Sequence, residues 1–154
     1  LKGSLSVSER LSYSRLQTTS ISNVFLEKTI VKIRVLKWFS FSAKGEYNSM
    51  NSYAFALQPN IRFAHLVINL CGTYYYANSW SGRLYAVEYD LPMTYTSALM
   101  YGRGFNFYAT AQVRVTKWLE LFAKLGENYK CVANDKIGEK KSLLNIKAGI
   151  RFNL

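Results

Sequence analysis

Proline is scarce, histidine nearly absent and carboxylates are few: the 154 residues include two Pro, one His and nine Asp plus Glu. With His65 as the lone histidine, no metal-ligand spacing exists. A Ser-His-Asp or Cys-His arrangement would have to use His65 itself, and that residue sits in the turn position matching Lys37 and Lys117. Gly102-Arg103-Gly104 is too short for a phosphate loop and reads as a tight turn. No nucleophile constellation is visible, so the chain reads as no enzyme, with neither cofactor nor metal. Cys71 and Cys131 set no disulfide framework and read as free thiols. No apolar run approaches the roughly 18 residues of a transmembrane helix, which leaves membrane strands open. The opening residues do not read as a secretory leader. Leu1-Lys2-Gly3-Ser4-Leu5 already alternates like a strand interior, so the chain reads as a processed or truncated piece.

Aromatic residues and cations are plentiful. The chain holds twelve Tyr, nine Phe and three Trp, and 20 Lys plus Arg give a formal charge of +11. A basic soluble protein points to nucleic acid or an acidic surface. The alternative is that the charges line the inside of a barrel, and the residue pattern favours it. In segment after segment one parity is apolar and the other polar, as in a sheet with unlike faces. Leu5, Val7, Leu11 and Tyr13 alternate with serines and Arg10, and Phe25, Val31, Ile33 and Val35 with Lys28, Lys32 and Arg34. The same alternation runs through 39–48, 66–76, 105–115 and 144–154. Segment 52–63 follows it with Pro59 on the apolar parity, which suits an edge or a bulge.

The organising feature is an internal repeat. Val113-Arg114-Val115-Thr116-Lys117-Trp118 echoes Ile33-Arg34-Val35-Leu36-Lys37-Trp38, with looser copies at Ile61-Arg62-Phe63 and Ile150-Arg151-Phe152. Its unit is a β-hairpin. Arg34 to Arg62 spans one such period and Arg62 to Arg114 nearly two, which places a hidden same-side turn near Asp90-Leu91-Pro92. Short strands at 84–89 and 94–101 then join the sheet, and the expected fold is all-β: an antiparallel up-and-down transmembrane β-barrel of about ten strands. Residues 1–154 form that single barrel domain or the C-terminal segment of a larger one.

If the C-terminal strand ends at the periplasm, the Lys-Trp turns are periplasmic and the loops at 15–22, 48–52, 77–82 and 131–141 face outside. Trp38 and Trp118 then sit at one membrane interface, and Tyr74, Tyr76, Tyr101 and Tyr129 girdle the other. Arg34, Arg62, Arg114 and Arg151 share the inward parity near the ends of downward strands, forming a basic belt. Glu46, Glu88 and Glu120 are its expected acidic partners. Such a belt is either an anion-favouring constriction or an ionic network filling a narrow interior.

Leu84-Tyr85-Ala86-Val87-Glu88-Tyr89-Asp90-Leu91-Pro92 and Ala98-Leu99-Met100-Tyr101-Gly102-Arg103-Gly104 resemble the C-terminal part of a family of Bacteroidetes outer-membrane β-barrel proteins, the helix-hairpin-helix domain-containing proteins. The resemblance covers 60–154, and 1–59 by pattern alone. Nothing here corresponds to the family's helix-hairpin-helix segment, so no claim about nucleic acid is carried over. The terminal alternation is similar to the barrel-assembly signal, with Leu154 where an aromatic residue is usual. The expected function is that of an integral protein of the bacterial outer membrane, with a structural or accessory role. Its partners are outer-membrane lipid and other envelope proteins. The alternatives are a basic-lumen channel for small anions and a soluble ligand-binding barrel.

Overall fold

Period-2 sequence becomes strand almost throughout the chain. The computed structural model describes residues 3–17, 21–77, 79–88, 96–131 and 140–152. Its strands are β1 (Ser4–Gln17), β2 (Ile21–Arg34), β3 (Phe39–Asn48), β4 (Ser52–Arg62), β5 (Leu66–Ala77), β6 (Leu84–Glu88), β7 (Thr96–Met100), β8 (Gly102–Arg114), β9 (Leu119–Cys131) and β10 (Lys140–Phe152). A 3-10 turn, Trp80–Gly82, lies between β5 and β6. No helix among the described residues is long and apolar enough to cross a membrane, which says nothing of strands.

The repeat folds as a repeat. At 35–38 the N–H groups of Val35 and Leu36 both donate to the Phe39 carbonyl, at 3.2 and 3.1 Å. At 115–118 Val115 and Thr116 donate to the Leu119 carbonyl in the same way, at 3.0 and 3.3 Å. Matching sequence thus gives matching turns, and both lie at one end of the sheet with the 63–65 turn.

Eight strands form one antiparallel sheet in the order β1-β2-β3-β4-β5-β8-β9-β10, while β6 and β7 pair only with each other. This corrects the expectation of about ten strands in one sheet. β5 pairs directly with β8, from Leu66 opposite Val113 to Ala77 opposite Gly102. At five residues each, β6 and β7 are also short of the 9–11 or so residues a membrane strand needs. The spacing rule had assumed that all sequence between the arginines was spanning strand. The extra length is instead a hairpin inserted at the end opposite the short turns. The proposed turn at Asp90-Leu91-Pro92 falls outside the described residues.

Two local expectations change as well. Gly102-Arg103-Gly104 is the start of β8 rather than a turn, with the corner made at Gly102 by a φ of 83°. Pro59 is neither at an edge nor at a bulge. It lies inside β4 opposite Phe41, where the β4–β5 ladder passes from Leu57–Gly72 to Asn60–Asn69 without pairing the residues between. A residue without an N–H fits at that interruption.

The sheet buries its polar face. Ser52, Gln58, Thr73, Asn106, Thr110, Glu120 and Lys124 are buried, whereas Leu5, Val7, Phe55, Phe107, Ile146 and Phe152 are exposed. Burial on one side of a single layer requires curvature, and bonds between strands that are not neighbours show it. Gln58 of β4 donates to Tyr108 of β8 at 2.9 Å, and Tyr75 of β5 donates to Asn128 of β9 at 3.1 Å. The polar face is therefore concave. Within it, Leu84 and Met100 of the inserted hairpin, each 1% exposed, pack on Ala54 and Tyr75 in a small apolar core. β1 and β10 form the two edges, unpaired with each other among the described residues.

Gly104 makes the Tyr75 site possible. A Cβ there would stand 2.4 Å from the Tyr129 carbonyl and 2.5 Å from the Tyr75 hydroxyl. We expect Gly104→Ala to displace Tyr75 from Asn128 and lower stability by about 1–3 kcal/mol. Gly45→Ala, which meets nothing within 4 Å, should be close to neutral. Denaturant titration of the two variants beside the parent protein checks both.

Candidate functional site

Register decides which charges meet. Glu120 lies directly opposite Arg114 on β8 and Arg151 on β10. Its carboxylate accepts from Arg114 Nε at 3.0 Å and from the Arg151 guanidinium on its other oxygen. Gln112 adds a longer contact at 3.4 Å. Glu120 is 1% exposed, so a buried anion sits between two cations that partly reach solvent. At the other side of the sheet Lys28 pairs with Glu46 at 3.2 Å. Glu46 and Glu120 are the carboxylates of the concave face among the described side chains.

The four arginines occupy equivalent places, each on the concave parity next to a short turn or, for Arg151, near the chain's end. They do not form one uniform belt. Arg114 and Arg151 share Glu120, whereas Arg34 and Arg62 make no ion pair among the described residues and border a cavity of about 490 Å³. Lys32, on the same parity but not grouped with the arginines from sequence, borders it too. The Glu88 backbone ends β6, outside the sheet that carries the arginines, and its side chain lies outside the described residues.

Polar side chains join strands across the cavity floor. Asn60 donates to Asn69, directly opposite it, and Asn69 donates to Thr110 at 3.0 Å. The Gln58–Tyr108 bond crosses beyond them, with the Lys124 ammonium 5.4 Å from the Tyr108 ring centre. A smaller space of about 60 Å³ lies past this bridge, lined in part by Lys44, Cys71 and Met100. The Leu84–Met100 core follows. The concave trough is thus interrupted twice between its short-turn end and its far end. Cys71 is a buried free thiol, and the Cys131 side chain lies outside the described residues. No group of metal-ligating residues occurs among the described residues.

Exposed aromatic side chains gather towards the two ends of the sheet. At the short-turn end Trp38 stacks on Phe63 at 5.5 Å and Trp118 on Phe152 at 6.2 Å. At the far end Tyr53 contacts Tyr76 at 5.5 Å and Tyr74 at 6.3 Å, and Trp80 meets Tyr101 edge-on at 5.5 Å. Tyr129 lies at that end as well, opposite Phe105. Phe63, Phe152, Tyr53 and Trp80 complete the contacts but were not singled out from sequence. Their signal was positional, since each ends or flanks a segment of alternating residues.

Set against family models, curated proteins and solved structures, the chain matches none.

Glu120→Gln keeps the shape of the side chain but leaves Arg114 and Arg151 without a counter-charge. Breaking a buried pair costs more than breaking a surface one, and the partial exposure of both arginines reduces that cost. We expect a loss of about 1–3 kcal/mol, read as a lower denaturant midpoint with an unchanged slope. Glu127→Gln, on the convex parity, should change little.

Proposed function

We propose that this chain is an integral outer-membrane β-barrel protein, or the barrel segment of one, with a structural or accessory role in the envelope. The observation that carries the reading is the inversion of its faces. Large apolar side chains cover the convex side, many of them more than half exposed, while amides, hydroxyls and charges fill the concave side. In water so continuous an apolar surface would drive association, and a soluble ligand-binding barrel would turn that surface inward. Lipid is the solvent that such a face suits.

The aromatic side chains at the two ends support the same reading. From Tyr53 to Phe63, β4 and its turn cover about 33 Å at roughly 3.3 Å per residue. A tilt of about 40° reduces this to roughly 25 Å, the height of an outer-membrane apolar band. Trp and Tyr at the two ends fit its interfaces. A bilayer tolerates no open sheet edge, so this reading requires β1 to meet β10. Their directions suit closure, because an even number of alternating strands makes the first and last antiparallel. The resemblance of 84–104 to the Bacteroidetes barrel family belongs to this proposal too.

Between an accessory barrel and an anion channel, the interior favours the first. The Gln58–Tyr108 bridge and the Leu84–Met100 core both stand across the path from end to end. Small barrels are ordinarily filled by side chains in this way.

Membranes from cells producing the chain should retain it after an alkaline carbonate wash, and the purified protein should run as a compact, heat-sensitive species on a gel. Recovery in the soluble fraction would refute the membrane assignment. In a planar bilayer we expect no steady current. A steady anion-selective current would replace the accessory role with that of a channel.

A further inference from the structure

The concave face carries nearly all the cations of the eight-stranded sheet. Among the described side chains, Lys28, Lys44, Lys124 and Lys147 point there along with the lysine and arginines of the cavity, whereas Arg103 is on the convex parity. The two carboxylates of that face are both committed, Glu46 to Lys28 and Glu120 to Arg114 and Arg151. Positive charge that has no carboxylate partner among the described residues therefore concentrates where Lys32, Arg34 and Arg62 border the cavity.

The rest of the lining suits an anion. Among the described residues no Asp or Glu lines the cavity, and Ser4, Ser6, Ser40, Ser42, Gln112 and Thr110 bring hydroxyl and amide groups to it. Its volume of about 490 Å³ falls within the usual range for small-molecule sites, roughly 300–1,000 Å³. Arg34 and Arg62 come from β2 and β4, on opposite sides of β3, so two guanidinium forks can approach one ligand from two directions. Arginine forks match the oxygens of phosphate and carboxylate. The Gln58–Tyr108 bridge closes the inner end, which makes the space a pocket rather than a passage.

We propose that this pocket binds a small, multiply charged oxyanion on a hydroxyl-bearing body, of the phosphate-monoester class. Arg34 and Arg62 clamp the anionic group, Lys32 adds charge, and the serines and amides receive the polar body. Binding weakens with salt, as expected for charges that reach solvent. The pocket is formed by this chain's own strands and does not depend on the membrane assignment.

Calorimetry on the full chain in a zwitterionic detergent tests it, with glucose 6-phosphate as probe and inorganic phosphate and glucose as its two halves. Saturable binding of glucose 6-phosphate is expected, with weaker binding of inorganic phosphate and none of glucose. Losing a charge-assisted contact at each arginine should weaken binding by at least about tenfold in Arg34→Gln/Arg62→Gln. Arg103→Gln should bind as the parent does. Should the double glutamine variant fail to fold, Arg34→Lys/Arg62→Lys decides. It keeps the charge but loses the fork, so weaker binding supports the pocket and unchanged binding overturns it. No saturable binding by the folded parent also overturns it, as does an equal loss in Arg103→Gln. Carbonate fractionation reads membrane insertion separately, so either proposal can fail alone.

Discussion

A single curved sheet has no second layer to bury it, so it must bury one face against itself, and here that face is the polar one. Every other feature depends on this choice. Each amide, hydroxyl and charge turned inward loses water and needs a partner from within the same layer. The partners come from directly opposite residues, as with Asn60 and Asn69, or from across the curve, as with Gln58 and Tyr108. A one-residue slip in any ladder would turn a strand's apolar residues inward and its charges outward. The polar network is thereby tied to the register along the whole sheet.

The inserted hairpin shows the same constraint from the other side. β6 and β7 do not join the sheet, and they cover the concave face with Leu84 and Met100 where it offers Ala54 and Tyr75. Only at this end is the concave parity apolar enough to receive them. Gly104 clears the space that Tyr75 occupies, and the Tyr75 hydroxyl reaches over it to Asn128. A single tyrosine thus links β5, the hairpin and β9.

The strands were legible because alternation of period two is a local signal that survives whatever the sheet packs against. β3 was expected at 39–48 and spans Phe39–Asn48. The repeat was legible for the same reason, and its arginines do fall at equivalent places. What sequence could not supply was pairing. Alternation alone does not say whether a strand joins the main sheet or folds over its end, so the strands expected at 84–89 and 94–101 as part of the main sheet instead pair only with each other as β6 and β7. Pro59 misled because the rule excluding proline from inner strands assumes an unbroken ladder, and the β4–β5 ladder is broken there. Lys32 was read on the polar parity with Arg34 but not grouped with the arginine belt, since its place at the cavity comes from what faces it rather than from the repeat.

The placement of two carboxylates then shapes the electrostatics of the whole concave side. Four arginines at equivalent repeat positions would give a symmetric ring of charge. Glu120 breaks the symmetry because it lies between β8 and β10, opposite two of the four at once. Glu46 lies on β3 but is matched with Lys28, several residues from the arginine ends, so it cannot do for Arg34 and Arg62 what Glu120 does for the others. One half of the sheet therefore carries an ionic network, while in the other half Arg34 and Arg62 make no ion pair among the described residues and border the cavity. Register, not repeat position, thus decides which arginines are held by a carboxylate and which border the cavity.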